Sequence, residues 1–134
     1  MMRNQLLDTL LEKSIVLSFS NIGFALRRRS WDPADLDADL TGRNAVVTGG
    51  SAGLGYAAAV GLAMLGASVW LLVRDLAAGE QARQTIVERT GNPAIHVLQA
   101  DLSSLRSVRA ASDALLKAAS AIHILIHNAG VLLN

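Results

Sequence analysis

The sequence contains no cysteine, a single tyrosine and few charged residues. The absence of cysteine excludes disulfide bonds, thiolate metal ligands and cysteine nucleophiles. Charged residues make up 17% of the 134 residues and give a net charge of +1, and no basic stripe is interleaved with aromatic residues. These features argue against binding of nucleic acid. The three histidines (His96, His123 and His127) lack metal-ligand spacing, so we predict no metal site and interpret His96 and His123 as packed residues in strand-like segments.

Apolar residues, in contrast, are abundant. They account for 51% of the chain, and the mean hydropathy is +0.37. Such values are expected of a soluble α/β domain whose strands are covered by helices on both faces. The length allows one domain with a sizeable core.

The segment Ile15–Leu26 is mostly apolar and is followed by three arginines (27–29) and Trp31. Twelve residues are too few to cross a bilayer, which requires about 20. Acidic residues within the first 13 positions do not fit a secretory signal. Two interpretations remain open. In the first, residues 15–31 form a helix that contacts the membrane surface peripherally, with the arginines facing anionic lipid. In the second, this N-terminal helix packs against the body of the protein or a partner subunit.

An aspartate-rich stretch at 32–39 follows the arginines. Pro33 disfavours helix at the preceding residue, and clustered aspartates favour turns, so we interpret this stretch as a connector. The sequence therefore predicts two regions, an N-terminal extension with its connector at 1–39 and a folded domain at 40–134. We expect a cytoplasmic protein, with the membrane surface as the alternative.

From Thr41 onward, apolar runs alternate with helical patterns. We predict strands at about Asn44–Thr48, Ser68–Val73, Ala94–Ala100 and Ile122–Ile126. We also predict three helices. The first ends near Leu65, the second spans about Ala77–Arg89, and the third ends near Ser120. Ser103 or Ser104 is the expected cap of the third helix. Right-handed crossovers then give the strand order 3-2-1-4. The predicted fold class is α/β, the first half of a Rossmann-type doubly wound parallel sheet, with an N-terminal helical extension.

A glycine turn joins the first strand to the first helix, Thr48-Gly49-Gly50-Ser51-Ala52-Gly53-Leu54-Gly55. Glycines let a backbone turn tightly and approach a ligand, and a helix N-terminus directs unpaired N–H groups at an anion. The turn therefore predicts a pyrophosphate-binding site. The residues expected to bind it are Gly49, Ser51, Gly53, Leu54 and Gly55.

Polar residues follow the other three strands at the same edge of the predicted sheet. Arg74 comes nineteen positions after Gly55, where the adenosine ribose is expected; an arginine there accommodates the 2′-phosphate of NADP, whereas an acid favours NAD. We predict NADP, and Asp75 keeps NAD as the less favoured alternative. Taken singly, each of these residues also fits a solvated cation, a helix cap or an ordinary turn. Together they predict an adenine and ribose pocket formed by Arg74, Asp101, Leu102, Asn128, Ala129 and Gly130.

The chain resembles the short-chain dehydrogenase/reductase superfamily. Its glycine turn fits the TGxxxGxG motif, and His127-Asn128-Ala129-Gly130 fits the NNAG motif with His127 in place of the first asparagine. Within the superfamily the chain resembles the retinol-dehydrogenase-like NADP enzymes, through residues such as those at 101–105. The long apolar segment before the first strand also resembles the branch of dehydrogenase/reductase family member 12-like proteins. The resemblance implies hydride transfer between NADP(H) and a carbonyl or alcohol.

The same resemblance implies a catalytic serine, tyrosine and lysine placed after the NNAG turn. The only tyrosine, Tyr56, lies beside the glycine turn, and Val60 occupies the position four residues later where a lysine is expected. We assign no catalytic residue and expect those groups beyond Asn134.

Two hypotheses for function follow. The chain is the cofactor-binding part of an NADP-dependent oxidoreductase, or it is a non-catalytic nucleotide-binding or membrane-peripheral interaction module. We also expect the apolar edge of the fourth strand to be open in this chain and to favour self-association.

Overall fold

The computed structural model describes residues 24–25, 28–29, 32, 34 and 37–130. The chain divides into two compact units, Met1–Ala38 and Asp39–Asn134. In the first unit, Phe24, Arg28 and Arg29 are exposed, and the Ala34 amide donates to Asp32 Oδ1 at 2.9 Å. Most of the predicted apolar helix, and most of the proposed membrane contact at 15–31, lie outside the described residues. Within the described part of the chain, no helix combines the length and apolarity that a membrane span needs.

The second unit alternates strands and helices along the chain. Its elements are β1 (Asn44–Thr48), α1 (Gly53–Met64), β2 (Ser68–Val73), α2 (Leu76–Thr90), β3 (Ile95–Gln99), α3 (Leu105–Ala118) and β4 (Ile124–Ile126). All pairings in the sheet are parallel, and the strand order is β3-β2-β1-β4. The predicted α/β class and the strand order are therefore confirmed.

The central strands β1 and β2 are covered on both faces, which explains their continuous apolar sequences. Alternate residues of both strands pack with α1 and α2 in one core. That core contains Ala45, Val47, Val69 and Leu71 from the strands, and Ala59, Val60, Ala63, Ala82 and Ile86 from the helices. On the opposite face, Val46 packs with Leu115 and Ala119, at the C-terminal end of α3. This two-sided cover holds the carboxyl ends of the strands along one edge.

Helix α2 approaches the sheet at a glycine. A Cβ on Gly79 would lie 2.6 Å from Val73 Cγ2 and 2.8 Å from Val97 Cγ1. The close approach packs the first turn of α2 against the end of β2, where the candidate site begins.

The fourth strand is shorter than expected. It begins at Ile124, and His123 lies just outside it, with an exposed side chain. The interpretation of His123 as a packed residue is therefore wrong. Its Nδ1 instead accepts a hydrogen bond from the Asn44 amide at 3.0 Å, while its own N–H donates to the Asn44 carbonyl. His96, by contrast, is half-buried and stacks on Trp70 at 4.2 Å between ring centroids, and burial lowers the pKa of its imidazole.

Candidate functional site

The glycine turn after β1 requires glycine at three positions for two reasons. Gly49 and Gly53 adopt positive φ angles of 66° and 57°, which side chains with a Cβ rarely adopt. Gly55 is required by space, because a Cβ there would overlap the Gly49 carbonyl oxygen and lie 2.5 Å from Asn128 Nδ2. The turn is therefore a compact backbone structure that brings the start of α1 against the end of β1.

The N-terminus of α1 carries no side-chain cap. Its N-cap residue is Ala52, in an extended conformation with no acceptor to offer. The first amide of the helix with a carbonyl partner is that of Tyr56, which donates to the Ala52 carbonyl at 3.2 Å. Among the described residues, the preceding amides of Gly53, Leu54 and Gly55 have no acceptor. They are the unpaired donors that a helix N-terminus offers to an anion.

Thr48 and Asn128 fasten the glycine turn to the end of β4. Thr48 Oγ1 accepts from the amides of Asn128 and Ala129, at 3.0 and 3.1 Å. Asn128 Nδ2 donates to the Thr48 carbonyl at 3.0 Å and to the Gly49 carbonyl at 3.4 Å. The side-chain amide of Asn128 thus holds the turn in place, although the sequence predicted it as a ligand contact.

Sequence reasoning missed the role of Thr48. In the described part of the chain it is the buried polar residue of the core, with 5% of its surface exposed. A threonine at the end of an otherwise apolar strand was the available signal, because a buried hydroxyl needs hydrogen-bond partners.

A cleft of about 580 Å³ opens at the carboxyl ends of the strands. It is lined by the predicted residues Gly49, Ser51, Arg74, Asp101, Leu102, Ala129 and Gly130, together with Val73, Asp75, Ala100 and Ser103. The remaining predicted residues, Gly53, Leu54, Gly55 and Asn128, do not line it. The cleft therefore collects residues that follow all four strands.

Arg74 has a fixed backbone and a free side chain. The Arg74 carbonyl accepts from Gln99 Nε2 at 3.1 Å, and the neighbouring Val73 carbonyl accepts from the Ala100 amide at 2.8 Å. Arg74 is exposed, and its guanidinium makes no hydrogen bond or ion pair with any residue that the structure describes. A positioned but unpaired guanidinium can bind a phosphate with charge-assisted hydrogen bonds.

Asp75, the neighbour of Arg74, is the N-cap of α2. Its Oδ1 accepts from the amides of Ala77 and Ala78, at 2.8 and 3.3 Å. The carboxylate is thus engaged by its own helix while it also lines the cleft. From the sequence, Asp75 is expected only as an alternative ribose acceptor, and the cap is not predicted. The signal was present, since an aspartate directly before a helical run is a common N-cap.

The loop after β3 is held by its own side chains. Asp101 Oδ1 accepts from Ser103 N at 3.0 Å and from Ser103 Oγ at 2.7 Å. These hydrogen bonds, with a smaller contribution from the charge of Arg74, lower the pKa of the Asp101 carboxyl. Ser104, one of the two expected caps, accepts from the Ser107 amide at the start of α3. Asp101 therefore faces the cleft as an anion with one oxygen already hydrogen-bonded.

Tyr56, the single tyrosine, lies on α1 facing α2. Its hydroxyl accepts from Arg89 Nη1 at 3.3 Å, and the Arg89 guanidinium lies 5.8 Å from the centre of its ring. It borders a second cleft of about 540 Å³, which Ser51 also lines. The two lysines of the sequence are Lys13 and Lys117, and neither stands four positions after Tyr56. The described residues thus present a candidate binding cleft and no tyrosine–lysine pair.

Comparison with known proteins identifies the family. The parallel sheet, the glycine turn and the cleft at the strand ends define an α/β domain of the doubly wound, Rossmann type. A family model described as short chain dehydrogenase matches residues 43–134. The chain belongs to the short-chain dehydrogenase family.

Three curated relatives illustrate the match. Dehydrogenase/reductase SDR family member 13 of Bos taurus is 44% identical over 94 residues, covering 70% of this chain and 25% of that protein. Retinol dehydrogenase 12 of Bos taurus is 40% identical, with 72% and 31% coverage. Dehydrogenase/reductase SDR family member 12 of Homo sapiens is 34% identical, with 87% and 36% coverage. The chain spans between a quarter and just over a third of these relatives.

Solved structures agree in fold. A metagenomic short-chain oxidoreductase in complex with NADP has a TM-score of 0.64 at 37% identity, covering 69% of this chain and 41% of that one. L-sorbose reductase from Gluconobacter frateurii, complexed with NADPH and L-sorbose, has a TM-score of 0.65 at 29% identity, with 71% and 36% coverage. Proteins of this fold have therefore been crystallised with NADP or NADPH.

Proposed function

We propose that this chain binds NADP(H) at the carboxyl edge of its sheet, as the cofactor-binding part of an oxidoreductase. The observation that carries the proposal is that two groups at that edge have no partner among the described residues. One is the uncapped N-terminus of α1 with its free amides, and the other is the exposed guanidinium of Arg74. Both are donors suited to phosphate, and they follow adjacent strands of the sheet.

The residues present fit a dinucleotide. The amides of Gly53, Leu54 and Gly55 would hold the pyrophosphate, because no side chain of the described residues occupies them. Open space at Gly53, where a Cβ would meet nothing within 4 Å, leaves room for a ligand to approach the backbone. Arg74 would bind the 2′-phosphate, which favours NADP over NAD.

The other side of the cleft suits the adenine and ribose. Asp101 and Leu102 would border the adenosine, and the backbone of Ala129 and Gly130 would approach it from the end of β4. When bound, the nicotinamide supplies a hydride to a carbonyl or accepts one from an alcohol. The residues of this chain bind and orient the cofactor, and none is assigned to the reacting atoms.

Titration of the full 134-residue chain with NADPH and NADH, by calorimetry, tests the proposal. The parent should bind NADPH more tightly than NADH. Arg74→Asp should weaken NADPH binding by about thirtyfold, since it removes a charge-assisted pair worth about 2 kcal/mol, and should shift the preference towards NADH. Arg109→Asp, a change of the same charge on the exposed side of α3, is the matched control and should leave both affinities unchanged. Equal NADPH affinity in Arg74→Asp and the parent would refute the role of Arg74.

A second candidate function is a nucleotide-binding module without catalysis. It is favoured by the position of Tyr56, whose hydroxyl is bonded to Arg89 rather than accompanied by a lysine. The two candidates differ in what the gene encodes after residue 134. An in-frame continuation encoding a serine followed by Tyr-x-x-x-Lys would reject the module, whereas a confirmed stop codon together with NADPH binding by the purified chain would favour it.

The N-terminal region supports a proposal of peripheral membrane contact for a protein of the cytoplasm. Phe24 is 53% exposed, and Arg28 and Arg29 are exposed within the segment 15–31. An aromatic side chain beside cations suits an anionic lipid surface. Flotation with vesicles containing phosphatidylserine should recover the full chain, and neutral vesicles should not. Equal recovery with both would reject the electrostatic contact.

The edge of β4 supports a proposal of self-association. Among the described residues β4 pairs only with β1, and Leu125 on this strand is 52% exposed. An unpaired strand edge with apolar side chains favours pairing with another chain. Sedimentation of the full chain should show dimers that Leu125→Lys dissociates. A monomer at every concentration would reject the proposal.

A further inference from the structure

The cleft is lined by two acidic residues as well as by its one arginine. Asp75 and Asp101 line the same cleft as Arg74, and the charge of Arg74 contributes to the lowered pKa of the Asp101 carboxyl. A site that is to bind a phosphate monoester thus has two carboxylates close to its cation. The question is what each carboxylate does there.

One carboxylate oxygen of Asp75 is hydrogen-bonded to the start of α2. Its Oδ1 accepts from the amides of Ala77 and Ala78. The residue is in an extended conformation, with φ −99° and ψ 111°, as an N-cap requires. A carboxylate is also stabilised there by the partial positive charge of the helix N-terminus. The geometry makes the cap its structural role.

An acid just after the second strand would otherwise be expected to accept from the ribose hydroxyls of NAD. Capping ties one oxygen of Asp75 to the backbone of α2, whereas Arg74 beside it remains free. We propose that Asp75 weakens the preference for NADP: it does not bind the ribose, and its negative charge opposes a 2′-phosphate held by Arg74. This inference rests on the proposed function.

The expected effect follows from charge. A phosphate monoester carries between one and two negative charges near pH 7, and NADH lacks this group. Removing the charge of Asp75 should therefore strengthen NADPH binding and leave NADH binding unchanged. Asp75 is exposed, so the repulsion is screened by solvent and salt. We expect a gain of about threefold to tenfold at low ionic strength, and a smaller gain at 0.5 M salt.

The test uses variants that keep the cap. Serine and asparagine are N-caps as good as aspartate, so Asp75→Ser and Asp75→Asn remove the charge and retain an acceptor for the amides of α2. Asp113→Asn removes an exposed acid of α3 that does not line the cleft, and serves as the control. Each full-length variant is titrated with NADPH and with NADH at low and high salt, and its melting temperature is recorded.

The expected result is tighter NADPH binding in both Asp75 variants, an unchanged NADH affinity, and a melting temperature close to that of the parent. Asp113→Asn should change neither affinity. Weaker NADH binding in the Asp75 variants would show that Asp75 accepts from the ribose and would overturn the inference, as would an unchanged NADPH affinity. If the parent binds neither dinucleotide, the proposed function fails and the inference fails with it.

Discussion

Helices α1 and α2 begin at the same edge of the sheet, but only α2 has a side-chain cap at its N-terminus. Both follow a buried parallel strand, and both start from an N-cap residue in an extended conformation. Asp75 fills the first amides of α2 with its own carboxylate, whereas Ala52 leaves those of α1 unpaired among the described residues. A side-chain cap is worth about 1 kcal/mol, so α1 forgoes stability that α2 obtains.

The difference teaches how a binding site can be recognised in a repeating fold. Topology presents each helix N-terminus at the strand ends, but only an uncapped one has donors left for a ligand. The glycines around Ala52 make that opening accessible, because they bring no side chains over the amides. Local capping, rather than the fold, therefore separates the candidate anion site from its neighbour.

The largest effect should come from closing the space beneath the α1 N-terminus. In Gly55→Ala the new Cβ would overlap the Gly49 carbonyl oxygen and lie 2.5 Å from Asn128 Nδ2. Backbone must then shift, at a cost of about 3 kcal/mol in the free energy of unfolding. NADPH binding should fall below detection in calorimetry. Urea unfolding followed by circular dichroism measures the stability.

Gly61→Ala is the matched control for that change. Gly61 lies on the same helix, and a Cβ there would meet nothing within 4 Å. Alanine in a helix interior is favoured over glycine by about 1 kcal/mol, so this variant should be slightly more stable than the parent and bind NADPH normally. A similar loss of stability in both variants would show that helix propensity, and not the close approach at Gly55, is being measured.

Much of the fold was predictable because the apolar pattern and the residues that end each strand indicate the same element bounds. The bounds of β1 and β2 match the prediction, since both are continuous apolar runs that end at residues of different character. The fourth strand was overestimated, because Ile122 and His123 continue its pattern but form no parallel pairs with β1. Pairing with a neighbour decides where a strand begins, and sequence periodicity does not report it.

The site was predictable by position and less so by contact. The sequence predicted that residues following the four strands lie at one site. In the structure Arg74, Asp101 and Ala129, among others, line one cleft. It could not show that Asn128 would bond to the carbonyl of Thr48, 80 positions earlier, rather than face the cleft. Such long-range hydrogen bonds depend on the finished packing, which no local pattern encodes.

A smaller effect, with opposite signs in stability and binding, should follow from making α1 resemble α2. Ala52 has φ −152° and ψ 167°, so Ala52→Asp places a capping acceptor where the backbone already suits one. The free energy of unfolding of the variant should rise by about 1 kcal/mol. Its NADPH binding should nevertheless be about tenfold weaker, because the carboxylate occupies the amides and repels the pyrophosphate. Urea unfolding and calorimetric titration give the two values.

Ala52→Asn separates occupancy from charge in that experiment. It caps without a negative charge, so it should stabilise the protein to a similar degree and weaken NADPH binding less than Ala52→Asp. Stabilisation by both variants with unchanged NADPH affinity would show that the amides at the start of α1 are not the binding site. The comparison between α1 and α2 would then describe capping alone.

The smallest effect concerns the loop before α3. As at the start of α2, an aspartate side chain accepts hydrogen bonds from nearby residues of its own segment. Ser103 donates two hydrogen bonds to Asp101 Oδ1 and is the main cause of the lowered pKa of that carboxyl. A lowered folded-state pKa stabilises the protein above the ordinary value of 3.8 and ceases to do so as the pH falls through the folded-state value. In Ser103→Ala the pKa of Asp101 should rise towards that ordinary value, because the side-chain hydrogen bond is lost. The stability gap between variant and parent should then close as the pH falls below the folded-state pKa of the parent. Titration of the Asp101 carboxyl carbon by NMR measures the shift, with Ser112→Ala on the exposed side of α3 as the control. An Asp101 that titrates at the same pH in Ser103→Ala and the parent would show that the Ser103 hydroxyl does not stabilise the Asp101 carboxylate.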